Sequence, residues 1–386
     1  MQARAVQVPG NFMPSCDPAS RPGALPRFPR RCQVSLRAPR MCTAARASKG
    51  KELDAFLGFS DSNLDGSAIG IIGDLHLEPD QMHLFHQARA QIIGAVRELG
   101  GEEGSGRIVQ LGDLGGYSCG PGGVECFRVA REFLAGFGMP VSLVTGNHDL
   151  EGAEFETDEE NLQAWLMAFS QERHYWARDL GNILLIGLST VRFRSNEFSV
   201  HEVFIDDEQL QWFKRTVADN ADRPVVVFSH APPAGCGLKV VQNVHVKNRC
   251  AWLNHSSNLG DFMEVVRQCP SIRLWFSGHF HLSHNYADSI SVVGGAAFVQ
   301  TGVIGEYHRD GLRQSRVVKL DREGYEVHTI DHSDASLRLD LKHAWSDLAP
   351  PKVEKLEHQQ QCDPQVGECP GLAVLPLAVP HPTPQT

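Results

Sequence analysis

Five short segments of this 386-residue chain each end an apolar run with side chains that bind metal ions. They are Gly73-Asp74-Leu75-His76, Gly112-Asp113, Gly146-Asn147-His148-Asp149, Ser229-His230 and Gly278-His279-Phe280-His281. An apolar run that ends in a glycine and then a ligand is typical of a buried strand that delivers this ligand to the edge of a sheet. Together the five segments offer enough oxygen and nitrogen donors for two metal ions, which is the chemistry of a bimetal hydrolase.

The types of donor indicate which ions would bind. Oxygen atoms of Asp and Asn combined with imidazole nitrogens suit Mn, Fe or Zn better than Ca or Mg. Two such ions, roughly 3.5–4 Å apart, need a bridging carboxylate, and they hold both the attacking and the leaving oxygen of a displacement. Water bound to the ions becomes a hydroxide nucleophile near neutral pH. We therefore expect two divalent cations as cofactors, and the donor types favour Mn, Fe or Zn.

The elements that position these residues alternate along the chain. Apolar runs predict strands at Ala68–Ile72, Ile108–Leu111, Val141–Val144, Ile183–Leu188, Val225–Phe228 and Ile272–Phe276. Apolar spacing near 3.6 residues predicts helices at Gln81–Leu99, Val124–Phe137, Asp207–Val217 and Leu259–Val266. A further helix is predicted at Asn161–Phe169, after an acidic stretch that is interpreted as a solvated helix start.

Strands that alternate with helices indicate βαβ units. Three late strands without intervening helices are predicted at Ser291–Phe298, Arg316–Leu320 and Tyr325–Ile330. The last two are predicted to form a hairpin across Asp321-Arg322-Glu323-Gly324. We therefore predict an α/β fold, a four-layer αββα sandwich of mixed sheets.

With these motifs, the chain resembles the calcineurin-like metallophosphoesterase superfamily from about Ile71 to His281. The resemblance implies a first metal site made by Asp74, His76 and His281. It implies that Asp113 bridges both ions. It also implies a second site completed by Asn147, His230 and His279.

The resemblance gives His148 and Asp149 other roles. His148 would lie beside the leaving-group oxygen as electrostatic stabiliser or general acid. Asp149 would orient His148 through a ring nitrogen. Taken singly, each histidine is more often packed or solvated than ligating, and Asp113 could be a helix N-cap. The ordered set as a whole favours the metal interpretation.

One motif departs from the family pattern. Phosphoprotein phosphatases of the family extend the second motif to Gly-Asp-x-x-Asp-Arg-Gly, whereas this chain has Gly116 and Tyr117 at the places of the second Asp and the Arg. They also usually carry Glu where this chain has Asp149. A Ser/Thr protein phosphatase is therefore not expected. The expected substrate is a small phosphorylated or nucleotide-type molecule, hydrolysed as a phosphate monoester, a diester or a nucleotide anhydride.

The segments next to the motifs are expected to select the substrate, because loops on a rigid scaffold usually set specificity. The loop Gly115–Gly123, with Tyr117, follows the bridging aspartate. The connection Ala234–Ser257 contributes Lys247 and Arg249, which are either phosphate-binding residues or ordinary loop charges.

The two ends of the chain differ from the predicted catalytic domain at residues 51–347. Residues 1–50 hold nine basic residues, one acid and no long apolar run, which favours an organelle transit peptide over an ordinary basic tail. Their proline content favours the chloroplast, with the mitochondrion second. Residues 348–386 are rich in Pro and Gln and are predicted to be disordered. The ten cysteines form no C-x-x-C pairs and predict no disulfide framework.

Charge limits the class of partner. The whole chain has a net charge of −10, and without residues 1–50 it has 27 bases against 45 acids, or −18. Nucleic acid and anionic lipid are poor partners for such a surface, so a nuclease is disfavoured. No run reaches the roughly 18 apolar residues of a membrane span. The alternative to an enzyme is a non-catalytic scaffold or binding protein that retains the fold. No feature of the sequence predicts an oligomeric state.

Overall fold

The computed structural model describes residues 66–100, 106–233, 236, 256 and 259–347. The predicted transit segment (1–50) and the predicted tail (348–386) lie outside the described residues, as do Lys247 and Arg249. Those interpretations therefore stay predictions. Among the described helices, none combines the length and the apolar character that crossing a membrane requires.

The strands of the described part form two mixed sheets. In chain order they are β1 (Ser67–Ile72), β2 (Arg107–Gln110), β3 (Val141–Leu143), β4 (Trp176–Asp179), β5 (Leu184–Leu188), β6 (Val225–Ser229), β7 (Ile272–Ser277), β8 (Ile290–Val293), β9 (Ala296–Gln300), β10 (Gln314–Leu320), β11 (Gly324–Asp331) and β12 (Leu337–Ala344). The first sheet has the order β12-β11-β10-β1-β2-β3, and the second has the order β4-β5-β6-β7-β9-β8. The runs β1-β2-β3 and β5-β6-β7-β9 are parallel, and the remaining neighbours are antiparallel.

The helices lie in the connections between these strands. They are α1 (Met82–Gly100), α2 (Val124–Ala135), α3 (Asp158–Ala168), α4 (Asp207–Ala218) and α5 (Leu259–Gln268). Helix α3 begins where Thr157 accepts a hydrogen bond from the backbone N–H of Glu160, and three acids fill its first turn. Glu159 and Glu160 are exposed and complement the positive end of the helix dipole, as the interpretation of a solvated helix start requires. Asp158 is instead buried and accepts hydrogen bonds from the backbone of residues 193–195, so the interpretation holds only for part of the acidic stretch.

Both faces of the central strands are buried, and this produces four layers. In β1, Ala68 and Ile72 pack against helices α1–α3, whereas Ile69 and Ile71 face the second sheet. In β6, Val226 faces the first sheet, whereas Val225 and Val227 face helices α4 and α5. Strands buried on both faces appear in the sequence as continuous apolar runs, because side chains alternate between the faces. The predicted four-layer αββα sandwich of mixed sheets is confirmed.

The strand prediction was wrong in three places. The predicted strand Ser291–Phe298 is in fact β8 and β9, because Gly294 and Gly295 adopt positive φ angles and turn the chain. Strands β4 and β12 were missed. The sequence of β12, Leu-Arg-Leu-Asp-Leu-Lys-His-Ala, alternates with period two and could have predicted an edge strand, whereas the four residues of β4 are too few to form a pattern. The predicted hairpin across Asp321–Gly324 is confirmed as the antiparallel pair β10 and β11.

A buried histidine after β11 makes the stability of the fold depend on pH. The His332 ring lies with Nδ1 2.7 Å from Oε1 of Gln91 and Nε2 3.0 Å from Oγ of Ser315. Burial and the charge of Arg313 lower the pKa of His332 to about 3. The unfolded chain takes up this proton near pH 6.5. The stabilisation is therefore complete above pH 6.5 and is lost as the pH falls towards 3.

Because the unfolded chain protonates His332 in this range and the folded chain does not, we expect this residue to lower the free energy of unfolding by about 2 kcal/mol between pH 7 and pH 5. The variant His332→Gln keeps an amide donor and an acceptor but cannot titrate in this range. Urea unfolding at both pH values should show a smaller loss on acidification in the variant than in the natural chain. An equal loss in both proteins would contradict this assignment.

Candidate metal centre

The five motif segments meet because the strands before them end at the same place. Strands β1, β2 and β3 of the first sheet and β6 and β7 of the second are each followed by one motif. The structure brings all seven predicted ligands together. From the first sheet these are Asp74, His76, Asp113 and Asn147, and from the second they are His230, His279 and His281.

The ligand atoms fall into two groups that share two carboxylates. One group contains Asp74, His76, Asp113 and His281, and the other contains Asp74, Asp113, His230 and His279. Within each group, one ligand atom per residue lies within 4.8 Å of the others. Asn147 joins the second group, because its Oδ1 lies 2.9 Å from Nε2 of His230.

The carboxylate of Asp113 lies between the two groups. Its Oδ1 accepts a hydrogen bond from the backbone N–H of His148 at 2.9 Å. Its Oδ2 lies 3.5 Å from Nε2 of His76 and 3.3 Å from Nε2 of His230, and it is buried without a hydrogen-bond donor. A buried oxygen without a donor costs free energy. A cation on each side would satisfy it, so the position fits a bridging ligand.

Two imidazoles are fixed with their lone pairs towards the centre. Nδ1 of His230 lies 2.8 Å from the carbonyl of Leu111, and Nδ1 of His281 lies 2.9 Å from the carbonyl of Tyr307. A carbonyl only accepts, so both Nδ1 atoms donate, and in the neutral ring each Nε2 then has a lone pair that can bind a cation. Nε2 of His281 lies 3.1 Å from Nε2 of His76. Such close ring nitrogens need a proton or a cation between them, so this donor set also fits metal ions.

The electrostatics of the centre favour positive charge. Burial opposes the charge of Asp113, but His230 and His148 hold its pKa well below the ordinary value. Burial also opposes protonation of His230, but the carboxylates of Asp113 and Asp74 outweigh it and raise the pKa to about 9. Burial and the neighbouring His281 lower the pKa of His76 to about 3. The carboxylates therefore stay ionised, as cation ligands must.

The backbone at the ligands is strained. Four of the predicted ligands have φ in the left-handed region, namely His76 at 40°, Asp113 at 58°, His279 at 73° and His281 at 54°. Residues other than glycine rarely adopt this region, and such strain of order 1–3 kcal/mol each clusters at functional sites. Glycines let the chain pass close by. A Cβ atom on Gly278 would lie 2.4 Å from Oδ2 of Asp74, and one on Gly112 would lie 2.3 Å from the Gly146 nitrogen.

The predicted role of Asp149 was wrong. Its carboxylate accepts three backbone hydrogen bonds, from Asp113 at 2.8 Å, Leu114 at 2.9 Å and Gly146 at 2.7 Å. It therefore ties the second motif to the third instead of orienting a ring. The carboxylate beside His148 belongs to Glu151, whose Oε1 lies 2.5 Å from Nδ1 of His148. Glu151, three residues after His148, thus takes the place predicted for Asp149, whose side chain points back into the fold.

Sequence reasoning also missed residues that other loops bring to the rim of the metal centre, beside His76, His148 and His281. The Tyr307 ring stacks on His76 with centroids 4.8 Å apart, and the His201 ring lies 4.9 Å from that of His148. Arg309 is exposed, donates its backbone N–H to the carbonyl of His281 and lies within electrostatic reach of Asp74. These residues lie in loops without a motif, so the sequence carried no signal for them.

Comparison with known proteins places this arrangement in context. The sequence model described as "Calcineurin-like phosphoesterase" matches residues 67–283, more than half of the chain. A structure of PhoD superposes with a TM-score of 0.52 at 10% identity, covering 76% of this chain and 72% of that one. At that identity the likeness shows the fold alone.

Two curated bacterial proteins are similar in sequence. Glycerophosphodiester phosphodiesterase GpdQ of Enterobacter lignolyticus is 27% identical over 214 residues, which cover 54% of this chain and 69% of that protein. The 3',5'-cyclic adenosine monophosphate phosphodiesterase CpdA of Escherichia coli is 24% identical over 152 residues, which cover 39% of this chain and 46% of that protein. The chain thus matches less than half the length of the second relative.

Metal binding should stabilise the protein through the shared carboxylate. With Mn²⁺ or Zn²⁺ at about 100 times its Kd, we expect the Tm to rise by about 5–10 °C over the chelator-treated protein. In Asp113→Asn most of this rise should be absent, because both groups lose the one carboxylate that lies between them. The exposed Asp222→Asn is the matched control and should keep the rise. Differential scanning calorimetry with and without metal measures this rise in Tm. A rise in Asp113→Asn as large as in the natural chain would show that Asp113 is not a metal ligand.

Proposed function

This chain belongs to the calcineurin-like phosphoesterase family, and on that premise we propose that it is a dimetal phosphodiesterase that hydrolyses a small phosphodiester. The membership confirms the resemblance predicted from the five motifs. The names of the two curated relatives support the choice of a diester, because one acts on glycerophosphodiesters and the other on a cyclic nucleotide.

The observation that carries the proposal is the buried, donor-free Oδ2 of Asp113 between two groups of ligands. Asp74, His76 and His281 would hold one ion, Asn147, His230 and His279 the other, and Asp113 both. Such ions supply an acidified water and offset the charge on a phosphate. Hydrogen bonds to the Leu111 and Tyr307 carbonyls hold the ligating rings in place, so the site is arranged before the substrate arrives.

His148 supports the catalytic interpretation. Burial opposes its protonation, but the carboxylates of Asp113 and Glu151 outweigh this and raise the pKa of His148 to about 9. The ring lies next to the centre, 5.5 Å from the His76 ring between centroids. A positioned acid of this kind can protonate a leaving oxygen and stabilise the charge that develops on the phosphate.

The rim indicates which diester would bind. Tyr117 is 65% exposed, and its ring centroid lies 6.5 Å from that of His148 and 6.3 Å from that of Tyr307. Its backbone N–H donates to the Tyr307 hydroxyl at 3.2 Å, and that hydroxyl donates to Oε1 of Glu78 at 2.6 Å. An exposed aromatic ring on a fixed backbone offers a stacking surface, so a nucleobase or aryl group on the substrate is favoured. Arg309 brings a guanidinium that could pair with the phosphate.

Two alternatives are less well supported. A non-catalytic scaffold has no need of ligands or of His148, yet all seven ligand positions and His148 are occupied by competent side chains. A nuclease is opposed by the net charge of −18 that residues 51–386 carry.

A hydrolysis panel tests the proposal with the full chain, reconstituted separately with Mn²⁺, Fe²⁺ and Zn²⁺. The panel compares an aryl phosphodiester, a cyclic nucleotide, a glycerophosphodiester and an aryl phosphate monoester. We expect diesters to be hydrolysed faster than the monoester. Activity should vanish in Asp113→Asn, and kcat should fall by about 10²–10⁴-fold in His148→Gln, which loses the acid but keeps a polar side chain.

The control for this panel is Asp222→Asn, an exposed substitution that should leave kcat unchanged. Activity that survives in Asp113→Asn would point to a contaminant. Silence toward every substrate, with metal bound in stoichiometric amount, would favour the scaffold instead.

The aromatic rim makes a separate prediction about KM. In Tyr117→Ala we expect KM for an aryl or nucleotide diester to rise roughly tenfold, since stacking on one aromatic side chain contributes about 1–3 kcal/mol. The KM for a glycerophosphodiester should change little. Tyr117→Phe keeps the ring and should behave as the natural chain. Equal effects of Tyr117→Ala on both substrates would show that the ring does not select the substrate.

A further inference from the structure

A third group of metal-binding side chains lies beside the centre. It consists of His148, Glu151 and His201, and one ligand atom of each lies within 4.8 Å of the others. Oε1 of Glu151 lies 2.5 Å from Nδ1 of His148 and 3.2 Å from Nδ1 of His201. None of these positions except His148 belongs to the five motifs. His201 has no part in the proposed chemistry, and Glu151 enters it only as the carboxylate beside His148.

The atoms of this group repeat the arrangement seen at Asp113. In both places two imidazole nitrogens converge on one carboxylate oxygen, and that oxygen is buried without a geometrically acceptable hydrogen bond. Nδ1 of His201 is also buried and lacks such a bond. Two imidazole nitrogens and a carboxylate oxygen that converge in this way are the types of ligand that a divalent cation takes in proteins.

The backbone that holds the group is built to keep it in place. Arg194 donates hydrogen bonds to the carbonyls of Leu150 and Gly152, the two neighbours of Glu151. The Arg194 N–H is held in turn by the carboxylate of Asp158 at 2.8 Å. The turn that carries His201 is therefore tied to the turn that carries Glu151.

A second set of contacts fixes the His201 turn itself. The side-chain amide of Asn196 donates to the carbonyls of Arg192, Val200 and Glu202. The carboxylate of Glu202 accepts from the backbone N–H groups of Glu197 and Phe198. A site whose ligands are fixed in advance loses little entropy when it binds an ion.

We propose that His148, Glu151 and His201 form a third divalent-cation site, distinct from the two groups that share Asp113. Two imidazoles and one glutamate are a donor set used by zinc hydrolases, and they suit Zn²⁺ or Co²⁺ rather than Mg²⁺ or Ca²⁺. With three protein ligands and the His201 side chain 40% exposed, the site keeps open positions and binds more weakly than the buried pair. An ion on Nδ1 of His148 leaves Nε2 as the only ring nitrogen that can carry a proton, so this site would fix the tautomer of the proposed acid.

The test counts ions and does not depend on hydrolysis. The full chain is stripped with a chelator and titrated with Co²⁺, with bound metal measured by elemental analysis and by the visible absorption of the ion. We expect three Co²⁺ ions per chain, the third in a separate and weaker step. His201→Ala should bind two, with the third step weakened roughly 100-fold or more, since even partners of ligands are worth roughly 10–100-fold in affinity. Glu151→Gln should weaken the same step.

The matched control is His328→Asn, which removes a histidine that is also paired with a glutamate, Nε2 of His328 lying 3.3 Å from Oε2 of Glu326 on β11. It should keep three ions. His201 is partly exposed, and an unchanged circular dichroism spectrum establishes that its variant is folded. A natural chain that stops at two ions, or a third ion that persists in His201→Ala, overturns the site and leaves Glu151 as the ion-pair partner of His148. Three ions in a protein without hydrolytic activity would support the site and contradict the proposed function alone.

Discussion

The carboxylate of Asp113 must remain ionised although it is buried where two sheets meet. Burying a single charge is costly unless other groups compensate it. Here the backbone N–H of His148 compensates one oxygen, and two imidazoles converge on the other. The Asp149 carboxylate accepts a hydrogen bond from the backbone N–H of Asp113 and so fixes the backbone at that residue. Hydrogen bonds from Nδ1 of His230 and His281 to backbone carbonyls fix the orientation of both rings around the centre.

The fold accepts local strain to achieve that placement. Parallel strands normally deliver side chains in an extended conformation, yet His76, Asp113, His279 and His281 all have positive φ. A left-handed residue after a strand turns the side chain sharply, so a ligand can face inward within one or two positions of the strand end. The neighbouring glycines permit this, because the backbones approach so closely that Cβ atoms at Gly112 or Gly278 would collide with other parts of the site. The pattern of a glycine followed by a predicted ligand is thus explained by how closely the backbones approach one another at this site.

The sequence predicted the parts of this structure that short patterns specify. Apolar runs gave the parallel strands, and the motif residues assembled where those strands end. Roles that depend on direction were not predictable, since adjacency in sequence suggested that Asp149 serves His148 whereas the backbone carries its side chain away. Residues such as His201 and Tyr307 reach the site from loops whose paths depend on tertiary contacts. The turn at Gly294-Gly295 was missed because an apolar run continues on both sides of it.

The ligands come from two sheets that are far apart along the chain, and this decides when the centre can exist. The segment through Asp149 supplies the shared carboxylates, but each group of ligands also needs histidines that follow β6 or β7. Neither group is complete in a partly synthesised or partly folded chain. Under the proposed function, ions would therefore bind only after both sheets have formed. They would close loops of up to about 200 residues and link the two sheets as a cross-link does.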